Sequence, residues 1–216
     1  MSRLAMTHWH ERWTNQQTGW HRDVYNDLLL KHWPAVGATA SSNVLVPLCG
    51  KSLDMDWFAQ QGHTVTGLEL VSRPVEEFFQ ERELVPEKEE FGDLIRYSAS
   101  PFVLIQGDLF NVQPSLVQAD VWYDRAAMVA LPPSMRVAYV RQLLALTKAG
   151  AMGLLITFSY PANEMEGPPF SLPDEEVEAL FSEHFELECL ERITLEDERD
   201  RGLSSTHSSV YRIIRR

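Results

Sequence analysis

The segment from Asn43 to Leu70, NVLVPLCGKSLDMDWFAQQGHTVTGLEL, constrains the fold more than any other part of the chain. Asn43 to Leu48 is an apolar run suited to a parallel strand covered on both faces. Cys49-Gly50-Lys51-Ser52 follows as a tight turn, with Ser52 or Asp54 able to cap the next helix. Leu53 to Gln61 carries apolar residues at helical spacing, and Gly62 ends it. His63 to Leu70 reads as a second strand, with Glu69 near its carboxyl end. A carboxylate about 20 residues after the first turn of such a unit suits the two ribose hydroxyls of a bound nucleoside.

The rest of the chain alternates in the same way. Two helices precede the unit, His8 to Gln16 and Asp23 to His32, the second halted at Trp33-Pro34. Arg73 to Glu83 is a helix with Pro74 in its first turn, and Pro86 to Pro101 reads as irregular, charged and exposed. Strands are expected at Phe102–Gln106, Ala119–Tyr123 and Ala151–Tyr160, and a long helix at Pro133–Thr147 closed by Gly150. A Pro-rich loop spans Pro161 to Pro173, and a helix Asp174 to His184. Phe185–Leu195 and Ser208–Ile214 close the chain as strands with no helix between them, so they should pair antiparallel. The expected fold is α/β: one domain over residues 1–216 with a mostly parallel seven-stranded sheet, helices on both faces and an antiparallel C-terminal hairpin, which resembles the architecture of Rossmann-like class I methyltransferases.

In such sheets ligands sit beyond the carboxyl ends of the strands. Those ends carry Cys49-Gly50, Glu69, Asp108, Asp124-Arg125 and Ser159-Tyr160. Glu69 reads as a ribose acceptor or as a solvated strand end. Asp108 reads as an adenine acceptor or as part of a Gly107-Asp108 turn. Arg125 reads as a guanidinium facing an anionic group or as half of a structural pair with Asp124. Trp9 and Trp13 share a helix face, and with Trp20 they could cover a sulfonium cation or simply pack on the core.

Other constellations carry less. Net charge is −12, which leaves no cationic excess for nucleic acid. No run approaches a membrane span, and the stretch MSRLAMTHWHERW lacks the apolar core of a signal peptide, so a cytoplasmic location is expected. The acidic runs Glu87–Glu90 and Asp174–Glu178 read as solvated faces. Two cysteines, Cys49 and Cys189, make no disulfide framework, and Cys49 has no base beside it in sequence. His8-Trp9-His10 lacks converging ligands, so no metal is expected. G-x-G-x-x-G, G-x-S-x-G and the full phosphate-loop motif are absent.

Taken together, several motifs are recognisable. These are Trp9-x-x-x-Trp13 with Trp20-His21, Pro47-Leu-Cys-Gly-Lys51, Trp57-Phe-Ala with Gly62-His63, Gly67-Leu-Glu-Leu70, Tyr123-Asp-Arg-Ala-Ala-Met-Val-Ala130 and Gly167-Pro-Pro-Phe170. In this order, over nearly the whole chain, they resemble the bacterial form of the thiopurine S-methyltransferase family. The resemblance implies methyl transfer from S-adenosylmethionine to aromatic or heterocyclic thiols, and in bacteria to selenium or tellurium species as detoxification. It implies that Trp13, Leu48, Glu69 and Arg125 contact the donor and that Asp108 and Leu109 contact its adenine. Trp20 stands where the family usually has a substrate-side Phe, and Arg125 with Arg199 or Arg201 would face the acceptor. Residues 1–35 would form a helical lid, and the only partner would be a small thiol or metalloid. No long apolar edge strand or heptad pattern is evident, so a monomer is expected. The residues leave open a methyltransferase for another small nucleophile and a donor-binding sensor without catalysis.

Overall fold

The computed structural model describes residues 3–196 and 202–216. At its centre lies β1 (Asn43–Pro47), whose apolar side chains are buried on both faces. It pairs in parallel with β2 (Thr64–Glu69), reached through α3 (Asp54–Gln60). On its other side β1 pairs in parallel with β6 (Ala119–Arg125), which in turn pairs with β7 (Thr147–Ile156). β5 (Phe102–Gln106) extends the sheet beyond β2. The last two strands, β8 (Phe185–Thr194) and β9 (His207–Arg215), form the expected antiparallel hairpin, with β9 against β7. The expected seven strands therefore run β5-β2-β1-β6-β7-β9-β8.

The stretch expected to be irregular is instead ordered. β3 (Glu87–Phe91) and β4 (Leu94–Ala99) form a hairpin, and β4 pairs antiparallel with β5, giving nine strands. β3 is exposed along its whole length, so it carries no burial pattern to read. Its Glu-Lys-Glu-Glu run blunts an edge strand rather than marking a loop.

Alternating strand residues feed two cores. Leu45, Leu68, Ile105, Trp122 and Leu155 face α5 (Pro133–Leu146) and α6 (Asp174–Phe181). Val44, Val46, Val65, Leu104 and Val121 face α2 (Asp27–Val36), α3 and α4 (Ser72–Glu81). α2 also departs from expectation: it begins at Asp27 under an Asn26 cap and continues through Pro34 to Gly37. A proline there forfeits a helical hydrogen bond, but Trp33 and Val36 are both buried on the sheet, and that packing outweighs the break. α1 (Arg3–Thr14) packs on neither face; its Trp13 sits with Leu70 and Val71 over the carboxyl edge of the sheet.

Gly153 in β7 lets the Trp122 indole lie flat on the strand, because a Cβ there would fall inside the ring. Gly153→Ala should therefore lower unfolding free energy by about 1–3 kcal/mol, read from the urea midpoint.

Candidate active site

The chain leaves β1 toward β2 and β5, and returns on the opposite side as β6. The strand order thus reverses between β1 and β6, where parallel sheets open a crevice. A cavity of about 740 Å³ lies there, large enough for a nucleoside and a small second ligand. Its floor is the two strand ends, and at each the backbone is left-handed at a residue other than glycine: Leu48 (φ 46°) and Ala126 (φ 67°). Such conformations cost of order 1–3 kcal/mol and persist where surrounding contacts enforce them.

On the β2 side stands Glu69, only 6% exposed. Its carboxylate accepts the Gly50 amide at 2.9 Å and the Val71 amide at 2.8 Å, tying the β1 turn to the β2 turn. Burial raises it to about 7, and the amides of Val71, Gly50 and Leu70 only partly offset that. Glu69 is thus not the solvated strand end that its position also allowed. Gly50 (φ 52°) serves twice here, since a Cβ on it would meet the Trp13 indole at 3.0 Å. Cys49, buried and pushed far up by desolvation and by Glu69, is no nucleophile.

On the β6 side, Tyr123, Asp124 and Arg125 alternate across the strand, so Asp124 and Arg125 do not pair with each other. Asp124 faces α5, where it accepts from Tyr139 at 2.6 Å and from the Ala127 and Met128 amides; burial raises it to about 6. Arg125 faces the cavity side. Its Nε lies 3.2 Å from Asp54 Oδ2, and its Nη1 donates to the Trp20 carbonyl at 3.3 Å. Asp54, 2% exposed, also accepts the Tyr123 hydroxyl at 3.0 Å and the Asn26 amide at 2.9 Å. Tyr123 is raised far above its usual range by burial and then by Asp54.

The N-terminal segment forms the roof. Trp9 and Trp13 each meet Trp20 edge to face, at 5.3 and 5.9 Å, and all three line the cavity. His21 also lines it and is lowered by burial and by Lys51. Lys51 is itself held by Glu77 at 2.8 Å and by Glu81. Pro168 and Pro169 also line the cavity, and beside them Phe170 is anchored by its amide to the Val129 carbonyl at 2.7 Å.

Five residues singled out in the sequence, Trp13, Trp20, Leu48, Glu69 and Arg125, thus line one cavity. Asp108 and Leu109 stand at the end of β5 but not on that lining. Asp108 caps a short turn through the Phe110 amide, and Leu109 is buried in the core beside α5. Arg199 and Arg201 lie outside the described residues. Sequence reasoning missed the Asp54 hub. An acidic residue in a helix's first turn is ordinary, and only the folded approach of Tyr123 and Arg125 marks this one.

Comparison with known proteins adds a family. The model described as thiopurine S-methyltransferase (TPMT) matches residues 4–216. A thiopurine S-methyltransferase of Shewanella woodyi is 43% identical, covering 96% of this chain and 97% of that one. One from Pseudomonas aeruginosa is 42% identical over the same shares. Among solved structures, the 1,6-didemethyltoxoflavin-N1-methyltransferase of Burkholderia thailandensis has a TM-score of 0.67 at 15% identity, covering 97% of this chain and 86% of that one. A TehB-like SAM-dependent methyltransferase from Corynebacterium glutamicum has a TM-score of 0.57 at 16% identity, covering 97% and 98%.

The raised Glu69 has a consequence for stability. In the unfolded chain it ionises near its ordinary value of 4.5, whereas in the fold it ionises near 7. The folded state therefore holds the proton longer, and this group's contribution to stability is lost as pH rises from about 4.5 to 7. The stability advantage of the parent chain over Glu69→Gln should be largest at pH 5 and shrink by pH 8, as measured by urea unfolding at both.

Proposed function

Because the chain belongs to the thiopurine S-methyltransferase family, we propose that it moves a methyl group from S-adenosylmethionine to the sulfur of an aromatic or heterocyclic thiol, thiopurines included. One observation carries this reading. A buried carboxylate, Glu69, and a guanidinium, Arg125, stand at the ends of β2 and β6, the two strands that flank β1, and line one switch-point cavity. Glu69 has the position to accept the ribose hydroxyls, and Trp13, Leu48 and Gly50 form the adjoining wall. Asp108 and Leu109 would reach the adenine from the next strand end.

The donor supplies a methyl already activated on a sulfonium. The chain's task is to align a soft nucleophile behind it and to exclude water. Arg125 favours the anionic form of the acceptor thiol. The roof of Trp9, Trp13 and Trp20, part of a lid formed by residues 1–35, covers the cation with ring faces and closes over the acceptor. Trp20 narrows the acceptor side, and Arg199 or Arg201, outside the described residues, would face the acceptor. Selenols and reduced tellurium species, soft nucleophiles of the same kind, are further acceptors, which would make detoxification the biological role.

We place the protein in the cytoplasm as a monomer. Both edge strands carry exposed carboxylates, Glu87, Glu89 and Glu90 on β3 and Glu186 and Glu188 on β8, which disfavour edge-to-edge pairing. Among the described residues no helix is long and apolar enough to cross a membrane.

The test is methyl transfer from labelled S-adenosylmethionine to a series of thiols, with donor binding measured by calorimetry. Glu69→Ala should raise the donor Kd about tenfold, a charge-assisted hydrogen bond being worth about 1.5–3 kcal/mol. Arg125→Ala should lower kcat/KM about tenfold or more, with the larger loss for poorly acidic thiols. Unchanged donor affinity in the first variant, or an equal loss for all thiols in the second, would remove the roles assigned.

A further inference from the structure

We propose that Asp54 is a positioning residue for methyl transfer, fixing the Arg125 guanidinium by its Nε edge and tying that orientation to the end of the N-terminal segment. The inference rests on the proposed methyltransferase chemistry and deepens it.

The geometry is specific. Asp54 Oδ2 meets two donors from β6, Tyr123 Oη at 3.0 Å and Arg125 Nε at 3.2 Å. Oδ1 takes the Asn26 amide at 2.9 Å, and Asn26 in turn caps α2 through the Leu28 and Leu29 amides. A carboxylate this deeply buried is held in one orientation by two hydrogen bonds, from Tyr123 and Asn26, and by its ion pair with Arg125. It leaves Arg125 with its Nη edge for other partners. Nη1 reaches the Trp20 carbonyl, and Nη2 has no protein partner among the described residues. Asp54 and Arg125 thus fasten the N-terminal segment at two points, Asn26 and Trp20, on either side of His21.

Two effects of Asp54 on a bound thiol oppose each other. Its negative charge beside Arg125 weakens the pull on a thiolate. Its ion pair at Nε aims the guanidinium, which strengthens that pull. The remaining ionisable groups on the cavity wall, Arg12, His21, Arg22, Cys49, Lys51 and Glu69, make no bond to Arg125. Asp54→Asn therefore separates the two effects. It removes the charge but also sets an amide donor against a donor group that the Asp54 carboxylate now faces. If aiming dominates, the pH profile of kcat/KM for a weakly acidic heteroaryl thiol moves alkaline by about one unit. Its kcat falls about tenfold while donor Kd stays within about twofold.

The experiment measures these profiles for the parent chain, Asp54→Asn, Arg125→Lys and the double variant. Alongside, the Arg125 Nε–H resonance is followed by ¹⁵N NMR in the absence of substrates. Support is an alkaline shift in Asp54→Asn that adds nothing in the Arg125→Lys background, together with loss of exchange protection at Arg125 Nε–H. Asp54→Glu should restore part of both. An acidic shift with lower KM would show charge damping instead and overturn the proposal. So would a kcat loss with an unmoved profile, which marks a purely structural residue. Should Asp54→Asn not fold, Tyr123→Phe removes one of the two hydrogen bonds that orient Asp54 and should shift the profile in the same direction; an unmoved profile there overturns the proposal equally. If the parent chain itself transfers methyl to no thiol, the function falls, while the NMR result still decides whether Asp54 holds Arg125.

Discussion

Where the chain leaves the sheet in opposite directions from β1 and β6, the turn amides exposed by that divergence must each find a partner inside the site. Acidic side chains meet the need. Glu69 takes the Gly50 and Val71 amides, Asp124 takes those of Ala127 and Met128, and Asp54 takes that of Asn26. The cost is desolvation, visible in the raised Glu69 and Asp124. The same bonds hold Leu48 and Ala126 in left-handed conformations and keep the crevice open between them. The site is thus built mainly from backbone satisfaction, with the functional side chains fixed as a result.

The roof follows from this floor. Trp13 closes down on Gly50 because that position has no Cβ, and Trp20 is brought in by its carbonyl on Arg125 and by edge-to-face contact with Trp9 and Trp13. A chain segment that packs on neither sheet face is in this way held over the carboxyl edge by a few aromatic and polar contacts. Few anchors of this kind suit an element that has to admit and release ligands.

Much of the centre was legible because local pattern and burial agree there. The apolar run before Cys49 and the glycines at 50 and 62 encode the strand–turn–helix–strand unit directly. The missed elements owe their structure to tertiary contact. β3 has no buried face, and β4 is defined by pairing to β5. Pro34 stays helical because Trp33 and Val36 are buried. In the site, Glu69 and Arg125 were readable from their strand ends. The separation of Asp124 from Arg125 follows from strand alternation. Asp54 was not distinguishable, since its partners lie 28, 69 and 71 positions away along the chain and meet only in the fold.

The central claim is that donor and acceptor meet in the crevice between β1 and β6. A crystal structure with S-adenosylhomocysteine and a heteroaryl thiol bound tests it most directly. The expected result places the ribose hydroxyls on Glu69 and the thiol sulfur on the Arg125 side, beneath Trp20. A nucleoside bound away from Glu69, or a thiol seated outside this crevice, would contradict it.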